Sequence, residues 1–476
     1  MPLMPAPLAQ VKKWAGEKTS HALFVCDAKS ELRPEKESFN STLARSQKRL
    51  SEAPLFSTLP SGAFAVWVGV EKKDPPFFRL EAICQGLSLI LDENPQTLRL
   101  WVDPELGEEI ACEALYTVLA NGAPLYQRKK EPQTPLCQIW ADGALADMDF
   151  FPAQVFSQAN LRARYWTSSP PDALTVESFA GLALDLAHEV GAEAEVFDRA
   201  RLHELGAGGF DAVGRGGAEN ETRLVRLCRG QGKRKLALVG KGVCFDAGGL
   251  NLKPARAMAG MHRDMAGAAA VLAAFLGAQT LGIESKVEAW LALATNWVGP
   301  DAYHPGEVLT MADGTTVEVV HTDAEGRLLL ADTLALARRG GASAMVDLAT
   351  LTGACVVALG ERHSGVFAND KDLLQDLIQA GEKAGERLHP FPLTKDYDSA
   401  LKSKTADVKQ CLLEGEADHI LAARFLCRFA GDTPWAHLDL SSAWCKEGLG
   451  GALSEETGFG AALLLEFIRL WEKRLA

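Results

Sequence analysis

The chain has no uninterrupted apolar run approaching the ~20 residues that a membrane-spanning helix requires. Residues 1–14 hold prolines and two lysines but no continuous apolar core, so they do not read as a signal peptide. No Cys-x-x-Cys occurs among the ten scattered cysteines, and Cys228, Cys355 and Cys427 lie in apolar contexts where Cys acts as a small hydrophobe. That usage suits a reducing compartment better than a disulfide framework. The absence of His-Glu-x-x-His excludes the helix-borne zinc protease arrangement, and the absence of Gly-x-x-x-x-Gly-Lys-Ser/Thr excludes a P-loop. Repeats and low-complexity tracts are missing too. A formal charge of −13 argues against nonspecific binding to nucleic acid or acidic membranes. The expectation is a soluble cytoplasmic protein.

With 476 residues, 47% of them hydrophobic and 23% charged, the chain is long enough for two or three globular domains. Stretches 63–70 and 97–102 read as strands and 108–120 as a helix, the alternation of α/β architecture. Prolines and a glycine interrupt the pattern between Pro132 and Pro152, which divides the chain into 1–150 and 151–476. Thr175 is an N-cap candidate for a helix through His188. Beyond Lys235, strands at 236–239, 288–294, 345–348 and 435–440 alternate with helical patterns such as 266–281, and a terminal helix spans 460–474. This predicts a larger α/β domain with a mainly parallel sheet flanked by helices. Ligands in such sheets bind beyond the carboxyl ends of strands, and Gly240, Gly326 and Gly353 are expected just past such ends.

Three constellations carry chemistry. The first is His321-Thr322-Asp323-Ala324-Glu325-Gly326-Arg327, which follows a β-branched run entered through Asp313-Gly314. If the strand continues past Val320, its alternation puts Asp323, Glu325 and Arg327 on one face, two carboxylates and a guanidinium suited to hard cations and an anion. The second is Lys241 to Pro254, where Lys241 and Asp246 flank a glycine-bounded loop and Lys253 follows a second glycine pair. Taken alone, ion pairs of Lys241 and Lys253 with Asp246 or another carboxylate are the simpler reading. The third is Met261-His262-Arg263-Asp264-Met265, where Asp264 could cap the helix that follows.

In order and spacing these three pieces resemble the leucyl aminopeptidases, dinuclear-metal cytosolic exopeptidases whose signature is Asn-Thr-Asp-Ala-Glu-Gly-Arg-Leu. Here His321 stands where that family has Asn, and the match runs on through Leu328. The resemblance extends from about Pro170 to the carboxyl end and includes Leu205 to Gly214 and Asp347 to Cys355. It implies a macro-domain-like α/β module at the amino terminus. It further implies a tighter metal site of Lys241, Asp246, Asp264 and Glu325, and a more exchangeable one of Asp246, Asp323 and Glu325 assisted by the Asp323 carbonyl. Two divalent ions (Mn²⁺ or Zn²⁺, with Mg²⁺ or Co²⁺ as alternatives) would activate a water, Lys253 would polarise the scissile carbonyl, and Arg327 would hold a bicarbonate that relays a proton. Met261, Thr350, Leu351 and Gly353 would line the pocket for the amino-terminal side chain. A homohexamer acting on peptides is implied as well. The stretch Glu414 to His419 departs from the family, which commonly carries glycines there. A noncatalytic DNA-binding role and a metal-dependent phosphohydrolase are the competing readings; the acidic balance weighs against the former.

Overall fold

The computed structural model describes residues 3–30, 33–46, 49–218 and 221–475. The amino-terminal sheet comprises β1 (Gln10–Lys13), β2 (His21–Asp27), β3 (Leu55–Thr58), β4 (Phe64–Val70), β5 (Thr97–Val102) and β6 (Gln138–Gly143). Its order is β1-β6-β5-β2-β4-β3, parallel throughout except for the edge strand β3. Leu23, Val25, Val66, Val68, Leu98 and Leu100 pack on Ile83, Leu87, Ile110 and Leu115 of the covering helices Pro76–Leu91 and Glu108–Asn121. These strands are apolar on successive residues because both faces are covered.

The larger sheet begins with β7 (Glu193–Asp198), β8 (Thr222–Arg229), β9 (Gln231–Asp246) and β10 (Ser285–Asn296). A small third sheet uses β11 (Val308–Thr310) and β12 (Thr316–Glu318). The large sheet resumes with β13 (Ala344–Ala349), β14 (Ser364–Ala368) and β15 (Leu388–Pro390). Next come β16 (Val408–Lys409), which joins the small sheet, and β17 (Trp435–Asp439), which returns to the large one. The large sheet runs β15-β14-β17-β13-β9-β10-β8-β7. Its centre, β17-β13-β9-β10, is parallel, while β8 and β7 add antiparallel strands at one side and β14 runs antiparallel to β17 at the other. The expected mainly parallel α/β sheet is present, with antiparallel flanks.

Helix Ala266–Thr280 lies buried along almost its whole length against this sheet. Alanine and glycine are needed there because the backbones approach closely: a Cβ on Gly240 would stand 2.5 Å from Ala268 Cα. Gly240 is therefore not past a strand end, as expected, but inside β9, which continues to Asp246. Gly326 likewise lies in a helix rather than just past a strand, and Gly353 opens helix Gly353–Leu359 shortly after β13. Thr175 caps helix Val176–Glu189 through a reciprocal pair with Ser178. All ten cysteines are free. No helix among the described residues is long and apolar enough to cross a membrane.

Candidate metal centre

Strand β9 delivers the first two groups. Its register with β10 runs Ala294↔Val243 and then Thr295↔Phe245, so Cys244 is an extra residue on β9. A bulge resets the alternation of side chains. Lys241 and Asp246 therefore both reach one cavity of about 620 Å³ at the carboxyl ends of the parallel strands. They belong to the strand itself and do not flank a loop. Beyond Asp246, Gly248 and Gly249 take φ of 87° and 62°, turning the chain so that Lys253 comes back over the strand end. Lys253 Nζ lies 2.9 Å from Asp246 Oδ2 and 2.5 Å from Asp323 Oδ1.

The signature segment is not a strand face. β12 stops at Glu318, Asp323 sits in a turn, and Glu325 opens helix Glu325–Arg339. The extended expectation fails because Thr322 is held on both sides. Its N–H donates to Asn251 Oδ1 at 2.8 Å, its hydroxyl donates to the Gly248 carbonyl at 2.7 Å, and its carbonyl accepts from Tyr303 Oη at 2.6 Å. Asp323 and Glu325 still converge, one from the turn and one from the first helical turn. One oxygen each of Asp246, Asp323 and Glu325 lies within 4.8 Å of the others.

Asp264 does not cap helix Ala266–Thr280; it ends a short turn, Met261–Arg263, and Met265 holds the N-cap position. Its Oδ2 is 2.8 Å from Lys241 Nζ, and its Oδ1 accepts from Thr350 Oγ1 at 2.7 Å. Lys241 also meets Glu325 Oε1 at 2.9 Å and donates to the Thr350 carbonyl at 3.1 Å. Gly326 is required beside it, since a Cβ there would stand 2.7 Å from Lys241 Nζ.

The lysine ion pairs of the simpler reading are thus present, but they do not balance the cluster. Four carboxylates face two ammonium groups, leaving two negative charges in a buried site. Burial, reinforced by Glu325 and Asp264, pushes the Asp246 carboxyl up to about 8. Burial likewise pushes Asp264 up to about 6, against the pull of Lys241. For Glu325 burial is outweighed by Lys241 and Lys253, which hold it below its ordinary value. Such a set fits divalent cations: hard oxygen donors, clustered, short of positive charge.

Several groups that position these side chains carried no motif. Asn296, at the end of β10, donates to Asp246 Oδ1 at 2.9 Å, the Thr322 carbonyl at 3.0 Å and Glu325 Oε2 at 3.3 Å. A polar residue closing an apolar strand was the available signal. Gln410 accepts from the Val320 and His321 N–H groups and donates to the Ala324 carbonyl at 2.9 Å. His321 Nδ1 accepts the Asp323 N–H at 3.2 Å. Arg327 is 2% exposed, and its Nη1 and Nη2 donate to Asp418 Oδ1 and Oδ2 at 3.0–3.1 Å.

Met261, Thr350, Leu351 and Gly353 line the same cavity, as do Lys253, Asp264, Asp323, Glu325 and Arg327. Val356 and Leu413 add an apolar rim, 41% and 70% exposed.

Residues 161–465 match the model of the cytosol aminopeptidase family, catalytic domain. A probable cytosol aminopeptidase of Chlorobaculum tepidum is 42% identical over 316 residues, 65% of this chain and 62% of that protein, so the match spans less than two thirds of the relative's length. Among solved structures, the bottromycin maturation enzyme BotP in complex with Mn aligns with a TM-score of 0.83 at 32% identity, covering 96% of this chain and 100% of that one. The apo leucyl aminopeptidase of Trypanosoma cruzi aligns with a TM-score of 0.85 at 27% identity, covering 95% and 93%.

Proposed function

The chain belongs to the cytosol aminopeptidase family, and on that premise we propose that it is a metal-dependent aminopeptidase removing apolar amino-terminal residues from peptides. The observation that carries the proposal is the convergence of Asp246, Asp323 and Glu325 within 4.8 Å, with Lys241 and Lys253 against them. Bound divalent ions would supply an acidified water and Lewis-acid polarisation of the scissile carbonyl. Lys241, Asp246, Asp264 and Glu325 would hold the tighter ion; Asp246, Asp323 and Glu325 would hold the exchangeable one. Lys241 would bind as the neutral amine, surrendering its proton to the ion's charge. Lys253 keeps its proton: burial works against the charge, but Asp246 and Asp323 outweigh it and raise the pKa. Its ammonium can donate to the carbonyl oxygen as negative charge grows there. Met261, Leu351, Gly353 and the apolar rim would accept a Leu- or Met-sized side chain, while Thr350 would act mainly by steadying Asp264. A bicarbonate on Arg327 would have to share or displace the Asp418 carboxylate.

The reading extends to a division of the chain into 1–150 and 151–476, a homohexamer, and a cytoplasmic location consistent with ten free cysteines. Sedimentation tests the assembly, and a stable monomer would contradict it. The catalytic proposal is tested with metal-stripped protein to which Mn²⁺, Zn²⁺, Co²⁺ or Mg²⁺ is returned separately before an aminoacyl-amide panel. Turnover of leucine amide is expected with at least one ion and loss of at least about a thousandfold in Glu325→Ala. Undiminished turnover by Glu325→Ala would sink the assignment.

A further inference from the structure

We propose that Asp418 is the built-in anion of this site: its carboxylate, clamped by Arg327, takes the role that family likeness gives to an exogenous bicarbonate and accepts the proton released during hydrolysis. The inference rests on the aminopeptidase reading but concerns a residue outside the metal ligands.

The Arg327 guanidinium is buried, and an anion held against it offsets the cost of that burial. Both Nη atoms are already committed to Asp418, with Nη1 donating also to the Gln410 carbonyl at 3.2 Å. That end-on, two-oxygen geometry is the one a guanidinium offers to any planar carboxylate or bicarbonate. An external anion therefore meets both Nη groups occupied, with only the buried Nε left without a partner among the described residues. The backbone is bent to achieve this. Ala417 stands at φ 59° and ψ 35°, a left-handed conformation that Ala adopts only at a cost, and Asp418 follows as the first residue of helix Asp418–Ala430.

Asp418 is also suited to more than a structural pair. Its side chain is 39% exposed and borders the cavity that holds Asp246, Lys253, Asp323 and Glu325. Of the other acid–base groups there, Asp439 and His321 are engaged, while Glu361 has no cation among the described residues to orient it. Asp439 accepts from the Leu351 and Thr352 N–H groups and from the Thr352 hydroxyl, and His321 Nδ1 accepts the Asp323 N–H. In the reaction, the water oxygen forms a bond to the carbonyl carbon and its proton passes to an Asp418 Oδ. When the carbon–nitrogen bond breaks, the leaving amine takes that proton, and Asp418 returns to a carboxylate with no other co-reactant.

The test compares wild type, Asp418→Ala and Asp418→Asn as full-length zinc-loaded proteins, each checked for an unchanged melting profile. Binding of ¹³C-bicarbonate is followed by NMR, and leucine-amide turnover is measured in carbon-dioxide-depleted buffer with and without bicarbonate. Wild type is expected to bind no bicarbonate at Arg327 and to be indifferent to its addition. Asp418→Ala should bind it, lose about a hundredfold in turnover and recover at least about tenfold with bicarbonate or formate, in keeping with a lost proton acceptor. Asp418→Asn, whose amide oxygen can accept from Arg327 but whose NH2 cannot, should be slow and rescued less than Asp418→Ala. Bicarbonate binding by wild type equal to that of Asp418→Ala would overturn the proposal, as would full activity of Asp418→Ala without bicarbonate. If wild type turns over no aminoacyl amide with any ion, the aminopeptidase reading fails, while the binding comparison still decides whether Asp418 excludes the anion.

Discussion

His321 illustrates how a residue can be replaced without losing its task. Along its side chain Nδ1 is three bonds from Cα, the same count as the Oδ1 of an asparagine. It accepts the N–H of Asp323 two residues on, at 3.2 Å, which is the hydrogen bond by which asparagine closes an Asx-turn. That bond needs Nδ1 as the acceptor, hence the proton on Nε2. We expect His321→Asn to keep kcat/KM within about threefold, and His321→Ala to lose about tenfold, the worth of one such hydrogen bond. Steady-state kinetics at saturating metal would check this; a His321→Ala enzyme equal to wild type would show that the turn holds without it. The charged residues were legible through the resemblance of their order and spacing to a known family, since taken alone they read as ion pairs. Asn296, Gln410 and Tyr303 were not, because an amide or a phenol in an apolar context looks like any other strand or loop residue. Their value lies in what folds against them: Asn296 alone touches Asp246, Thr322 and Glu325.

At the scale of elements, strand parity fails for the signature segment, and the loop expected between Lys241 and Asp246 is a bulged strand. An alternation argument holds only while the ladder is regular. The strand before Asp323 ends at Glu318, and β9 carries a bulge at Cys244 that moves Asp246 onto the face of Lys241. No glycine or proline announces the first break, whereas Gly242 stands two residues before the bulge. Helices and their alternation with strands along the chain were easier, since apolar periodicity and the Thr175 cap are local. The pairing of β13 with β17 is long-range, and it sets Asp347 opposite His437 with Nδ1 2.6 Å from Oδ1, both fully buried. Burial would lower the His437 pKa, but Asp347 outweighs it and the net shift is upward. A histidine raised in the folded state stabilises fully below its unfolded pKa of about 6.5, and that contribution is lost as pH climbs through the folded value. His437→Gln is therefore expected to cost about 3 kcal/mol near pH 6, with a smaller deficit near pH 9. Urea unfolding at the two pH values measures the difference; a constant or widening deficit would mean that the histidine is neutral in the fold.

Over the whole molecule, helix Phe151–Thr167 joins the two sheets to the site. It packs on helices Glu108–Asn121 and Ala266–Thr280, and Thr167 at its end borders the metal cavity. The seam is polar and buried. Arg164, 3% exposed, donates to the Ala120 carbonyl at 3.0 Å and to Ser454 Oγ at 2.9 Å, while Asn160 donates to the Thr457 carbonyl at 3.0 Å. Asn121 adds a bond to the Gly451 carbonyl at 2.8 Å and accepts the Leu453 N–H at 3.0 Å. Nothing in the sequence near position 150 announces this, because the partners of Arg164 lie 44 and 290 positions away. A Pro- and Gly-containing stretch reads as a linker, whereas the residues after it tie the two parts together. Removing the guanidinium would leave the Ala120 carbonyl and the Ser454 hydroxyl without this donor, at about 2–3 kcal/mol. For a chain of this size Arg164→Ala should lower the melting temperature by about 2–3 °C, and calorimetry should still find one transition if both sheets unfold together. Two separated transitions, with the upper one unmoved by the substitution, would instead mean that the amino-terminal sheet rides on the larger sheet without steadying it.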